Sequence, residues 1–160
     1  WTKSLVRANI PLSGSWLPDG WEWLSPYARI VHWYNTGAAF GMFQQGGMVF
    51  TVLAFIVIGL ILYYYPQVEK ADWSLRLAMS MQLGGAAGNL IDRLTIGHVT
   101  DFISVGRFPV FNVADASITV GAAVLFLGIW LMEAAERKKK KDESPQESPP
   151  GEKPSEATSE

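Results

Sequence analysis

The chain has 160 residues, 49% of them apolar and 18% charged, with a net charge of −2. That is enough for one domain with a tail, and it is apolar-rich for a soluble domain of this size. The lack of cysteine excludes disulfides, a thiol nucleophile and cysteine metal sites, and with only two histidines, His32 and His98, a multi-histidine metal centre is not expected.

The chain opens at Trp1 with no methionine, which suggests a fragment or a processed product, and no charged-then-apolar leader marks it as a secreted soluble protein. Residues 1–12 are too short and mixed to span a bilayer and suit the outer end of a helix. Residues 13–34 are rich in Gly, Pro, Ser and Trp, with Trp16, Trp21, Trp23, Tyr27, Trp33 and Tyr34. Aromatic rings with a polar handle favour a membrane–water interface. A small soluble β-rich cap is the other reading of this stretch. Within it, residues 28–34 (ARIVHWY) have the β-branched and aromatic character of a short strand.

Residues 47–65 are an uncharged apolar run of 19, which at about 1.5 Å per residue nearly crosses a hydrocarbon layer of about 30 Å. Tyr63, Tyr64 and Tyr65 supply an interfacial belt and Pro66 stops the helix. After a polar turn, residues 74–94 give a weaker second span containing Arg76, Gln82, Asn89, Asp92 and Arg93 among small residues at 84–88. Small residues let helices approach closely in lipid, and polar ones must face a bundle interior or a wet cavity. A soluble core helix is the alternative here, and the flanking spans argue against it. Residues 116–132 form the third span, with Asp115 placed to cap it. Arg137 and Lys138 to Lys141 follow at once, and basic residues directly after a span mark the cytoplasmic side. Counting back from there puts Asp101 and Asp115 together on the outer face. Residues 136–160 read as a basic, then Pro-, Ser- and Glu-rich disordered cytoplasmic tail.

Two carboxylates a few ångströms apart cannot both ionise cheaply. One can then take a proton from water while the other, protonated, polarises a carbonyl. Asn35, Asn89, Arg93 and Asn112 are polar neighbours that would orient such a pair. On the residues alone a plainer reading stays open, in which Asp115 only caps a helix, Asp92 and Arg93 form an ion pair and Asp101 ends a turn. The serines have no convincing His–acid partners, and the glycines of 84–88 follow no strand and make no phosphate loop. The lysine run could bind nucleic acid in principle, but beside a span it reads as an orientation signal or a contact with anionic lipid. The non-enzyme rivals are a small transporter or channel subunit, which would carry its carboxylates in mid-span, and a catalytically dead membrane scaffold.

Four blocks in order, NTGAAFGMF at 35–43, GGAAGNLIDR at 84–93, VTDF at 99–102 and FNVADASI at 111–118, resemble the signature motifs of bacterial lipoprotein signal peptidase (signal peptidase II). The match covers roughly residues 1–135, taken as the membrane-embedded peptidase domain. The resemblance implies an all-α integral membrane protein, a transmembrane helix bundle with a small extracytoplasmic β-rich cradle. It also implies an aspartic endopeptidase that acts without metal or cofactor. Such an enzyme sits in the bacterial cytoplasmic (inner) membrane as a multi-pass protein with its active site on the extracytoplasmic face. It cleaves prolipoproteins before a diacylglyceryl-modified cysteine. Its partners would be those prolipoproteins and membrane lipids, with no nucleic acid, and it would work as a monomer.

Carried over by motif, Asp101 and Asp115 are the catalytic dyad, and Asp92 of NLIDR, the rival for the first role, supports structure. Asn35, Asn89, Arg93 and Asn112 match the family's polar pocket, and Lys3 its supporting lysine. The family has four spans, and Trp1-Thr2-Lys3 matches the end of an Asp-Gln-x-Thr-Lys motif that closes the first. The sequence is therefore expected to be truncated at its N-terminus and to show three spans. The link between the two aspartates is a few residues shorter than is usual in the family, which is expected to reshape the outer loop without moving either motif.

Overall fold

The computed structural model describes residues 1–37 and 46–142. The described residues fall into two compact units, Trp1 to Gly128 and the chain from Ile129 onward.

In the first unit a short helix, α1 (Thr2–Asn9), leads through Pro11 to strand β1 (Ser15–Trp16), a 3-10 turn at Glu22–Leu24 and strand β2 (Ala28–Asn35). The expected strand at 28–34 is thus present, one residue longer. Helix α2 (Gly47–Tyr64) is the first apolar span and ends in a 3-10 turn, Tyr65–Gln67, around Pro66. Helix α3 (Trp73–Ile96) and strand β3 (Val99–Val105) follow, and α4 (Val113–Asp142) begins in this unit.

Two helical segments are long and apolar enough to cross a bilayer, Gly47–Gln67 and Val113–Lys141, at mean hydropathies of 2.4 and 1.9. Their large apolar side chains, Phe55, Ile56, Leu60, Phe126 and Leu127 among them, point outward and stay exposed, as a lipid-facing surface requires. By the same test α3 does not qualify, although at 24 residues it is long enough. Arg76, Gln82, Asn89, Asp92 and Arg93 dilute its apolar character. Instead α3 packs closely against α4. A Cβ built on Gly85 would lie 2.5 Å from the Ala114 carbonyl and 2.6 Å from Ile118 Cγ1, and one on Gly121 would lie 2.9 Å from the Ala78 carbonyl. Ser117 Oγ donates to the Met81 carbonyl at 2.8 Å in the same seam. The small residues of 84–88 thus include one that permits close helix approach, as their pattern suggested.

The small β element expected beside the helices is a three-stranded antiparallel sheet of β1, β2 and β3 in that order. Asp101 sits inside β3 opposite Trp33 rather than ending a turn, as the plainer reading of the sequence had it. The chain reverses from α3 into β3 at Gly97, whose φ of +77° is a left-handed conformation that glycine adopts without cost. On the other side of the sheet Val6 of α1 and Ile10, the residue just after it, pack with Phe102 in a small core.

In the second unit α4 continues past residue 136 to Asp142. Its residues from Ile129 to Lys141 are all exposed, and Arg137 pairs with Glu133 one turn earlier. The Pro-, Ser- and Glu-rich stretch beyond Asp142, and Ala38 to Phe43 of the NTGAAFGMF block, lie outside the described residues.

Candidate active site

Alternation along β3 decides where Asp101 points. Side chains two apart share a face, so Thr100 and Phe102 look one way while Val99 and Asp101 look the other. Phe102 joins the core under α1, and Val99 and Asp101 line a cavity of about 470 Å³. Asp115 lines the same cavity from the first turn of α4, and Asn35, Asn89 and Arg93 line it from β2 and α3. The structure therefore brings both aspartates and three of the other expected site residues to one space. Phe108, Pro109, Val110, Phe111 and Val120 make its other wall apolar.

Asn112, fully buried, stands between the aspartates. Its Oδ1 accepts from the Ala114 and Asp115 backbone amides at 2.7 and 3.3 Å, so Asn112, and not Asp115, caps α4. Asp115 closes the reciprocal half of a capping box, its Oδ2 accepting from the Asn112 backbone N–H at 3.0 Å. With Oδ1 committed to the helix, the Asn112 amide turns its Nδ2 to Asp101 Oδ1 at 2.7 Å and to Asn89 Oδ1 at 3.2 Å. Asn35 Nδ2 donates to the other Asp101 oxygen at 3.1 Å, and Asn89 Nδ2 to Asp115 Oδ1 at 2.7 Å. Each carboxylate thus receives one N–H on each oxygen.

Burial pushes the Asp101 carboxyl up to about 6. The hydrogen bond from Asn112 pulls it down, the nearby Asp115 carboxylate pushes it up again, and Asn35 and Lys3 pull it down. A carboxyl in this range can hold or release a proton in the physiological window.

Asp92 does not pair with Arg93. It faces away from the cavity and takes Lys3 at 2.9 Å and Arg7 at 3.2 Å, with the Thr100 backbone N–H at 3.0 Å. Arg7 also donates to Thr100 Oγ1 at 2.8 Å. Asp92 therefore ties α1 and β3 to α3, the supporting role expected of it, and the NLIDR aspartate does not line the cavity. Arg7 and Thr100 were not foreseen as members of the site; Arg7 stands one helical turn after Lys3, a spacing that could have flagged it. Arg93 lies with its guanidinium carbon 5.6 Å from the centre of the Phe50 ring, and its buried Nε finds no acceptor among the described residues. His32 bonds the Ile10 carbonyl at 2.7 Å and His98 packs edge-on against Tyr34, so neither joins the cavity. Among the described residues no cluster of three His, Asp or Glu side chains could hold a metal ion.

The fold resembles solved bacterial membrane enzymes. One, determined by the in meso method, superposes with a TM-score of 0.71 at 25% identity, covering 92% of this chain and 85% of its own. A second gives 0.68 at 26% identity over 80% of this chain and 82% of that one. This is a membrane enzyme fold with a paired-carboxylate site. The family profile described as "Signal peptidase (SPase) II" matches residues 1–131, and the chain belongs to that family of peptidases. A lipoprotein signal peptidase of Symbiobacterium thermophilum is 45% identical over 136 residues, covering 82% of this chain and 86% of the relative. One from Aeromonas hydrophila is 39% identical over 130 residues, covering 76% and 75%.

Proposed function

We propose that Asp101 and Asp115 are the catalytic dyad with which this signal peptidase removes signal peptides from prolipoproteins, cutting before a diacylglyceryl-modified cysteine. The observation that carries this reading is the shared cavity, in which two carboxylates are bridged by Asn112 and each is held by two N–H donors. The Asp115 carboxylate takes a proton from water, and the resulting oxygen attacks the scissile carbonyl carbon. Asp101 in its protonated form donates to the carbonyl oxygen. When the tetrahedral adduct collapses, Asp115 passes its proton to the departing cysteine nitrogen, and the adduct's hydroxyl proton returns to Asp101. Asn35, Asn89, Asn112 and Lys3 hold the dyad in register, and Arg93 faces the substrate backbone.

In this reading the enzyme lies in the bacterial cytoplasmic membrane with α3 as a further span. The basic residues 137–141 stay on the cytoplasmic side and the dyad opens at the outer face. A diacylated substrate then meets the dyad without leaving the bilayer. The test is release of signal peptide from a diacylglyceryl-modified prolipoprotein by the full-length enzyme in bilayers. Asp101→Asn and Asp115→Asn should each lower kcat by about 10²–10⁴-fold, the usual worth of a positioned acid or base. Wild-type rates in either variant overturn the dyad.

A further inference from the structure

The polarity of the asparagine chain around the dyad is fixed from outside it. Lys3 Nζ lies 2.8 Å from the Asn89 amide oxygen. An ammonium has donors only, so Asn89 must present its oxygen to Lys3. That turns its NH₂ to Asp115 Oδ1, 2.7 Å away. Asn112 Nδ2 reinforces the choice by donating to the same Asn89 oxygen at 3.2 Å. Lys3 is itself immobilised by Asp92 Oδ2 at 2.9 Å and by the Gly88 carbonyl at 3.3 Å. We propose that Lys3 and Asp92 are a positioning pair for the dyad: Lys3 locks the Asn89 amide in the orientation that serves Asp115 and brings one positive charge within reach of Asp101, and Asp92 holds Lys3 there and offsets that charge. The proposal rests on the dyad assignment above.

A purely structural tie between α1 and α3 would not need the third contact. Burying an ion pair costs several kcal/mol of desolvation, and apolar packing often does as well. Here the lysine directs a donor to Asn89, the side-chain amide that donates to Asp115. The charged groups around the dyad come from three elements. Lys3 and Arg7 stand on α1, Asp92 and Arg93 on α3, and Asp115 on α4. From β2 and α2 the cavity receives the neutral Asn35 and Phe50. Lys3 is also a cation that draws the Asp101 carboxyl down.

Two readouts on the full chain in bilayers test this. One is the titration of the Asp101 acid C=O stretch by infrared spectroscopy, assigned with Asp101→Asn. The other is the pH profile of signal-peptide release. Lys3→Met should move the Asp101 midpoint and the matching limb of the profile upward by about 0.5–1 unit. This is less than the 1–3 units of a direct contact, because Lys3 reaches the dyad through Asn89. It should also lower kcat more than it raises KM. Lys3→Arg keeps the charge and should hold the wild-type midpoint, and Asp92→Asn should move it downward. If Lys3→Met titrates like the wild type, or Lys3→Arg shifts as far as Lys3→Met, the positioning pair is wrong. The two Lys3 variants decide this even where Asp92→Asn does not fold. Full cleavage by Asp101→Asn would instead remove the dyad itself and this inference with it, whereas unmoved midpoints in an Asp101-dependent enzyme remove the positioning pair alone.

Discussion

The raised Asp101 carboxyl has a thermodynamic consequence that stability measurements can read without any substrate. Its value rises from 3.8 to about 6 on folding, so between those limits the folded chain binds more protons than the unfolded one. Stability then falls as pH rises through this window. The loss begins near pH 3.8, is complete above about 6 and amounts to about 3 kcal/mol, at about 1.4 kcal/mol per unit. Asp101→Asn removes this titration. It also places an NH₂ opposite a donor, Asn112 Nδ2 or Asn35 Nδ2, but that cost does not change with pH. Its melting temperature relative to wild type should therefore gain about 5–10 °C between pH 4 and pH 7.5, where about 2.4 kcal/mol of the loss falls, using about 2–4 °C per kcal/mol for a chain of this size. Intrinsic tryptophan fluorescence in detergent reports the melt, since the chain carries 7 tryptophans. A variant–wild-type difference that stays flat across this range would refute the buried, proton-retaining Asp101.

Removing Asn112 acts on both aspartates at once. Asn112→Ala takes away the α4 cap and the 2.7 Å bond to Asp101. It should cost about 2–4 kcal/mol in denaturant titrations, about 1 from the cap and the rest from the charged hydrogen bond. The same change should move the Asp101 limb of the pH–rate profile upward, because the Asn112 bond is the strongest influence lowering that carboxyl. Gly85→Val forces a side chain against the Ala114 carbonyl and Ile118. It should destabilise by at least about 1–3 kcal/mol, seen as a lowered melting temperature, whereas Gly84→Ala, with open space around it, should stay near wild type. Treatment with a chelator such as EDTA should leave the cleavage rate unchanged, and strong inhibition would contradict a two-aspartate mechanism.

The elements that could be read from sequence are those whose cause is local. The spans at α2 and α4 follow from apolar runs of bilayer length, and β2 from its β-branched and aromatic residues. Strand β3 was missed because its pairing is not local: VTDFISV becomes a strand by bonding to β2, with Asp101 opposite Trp33. The choice of cap at α4 was also beyond local sequence, since Asn112 and Asp115 are both good capping residues. Only the folded chain shows Asn112 at the cap and Asp115 answering it. The motifs pointed to Lys3 and Asn89 as residues supporting the site and to Asp92 as structural support. That Asp92 belongs to Lys3 and Arg7, with its sequence neighbour Arg93 turned to the cavity, depends on a helix 85 residues away in sequence. Spacing alone does not encode that.

Between the two aspartates, Ile103 and Phe111 face each other across an isolated β-bridge. Backbone bonds between them at 2.7 and 3.1 Å, and one from the Phe102 amide to the Phe111 carbonyl at 3.0 Å, fasten the two ends of the link. The segment from Ser104 to Val110 is thus a closed loop hung from a fixed neck. Lengthening a loop whose ends are already joined costs little, about 0.6 kcal/mol for each doubling. Residues can be added or lost there without moving Asp101 or Asp115, while Phe108, Pro109 and Val110 redraw one wall of the cavity. The architecture separates what must stay constant from what can be edited, so the cavity wall can change with loop length while the two aspartates keep their places.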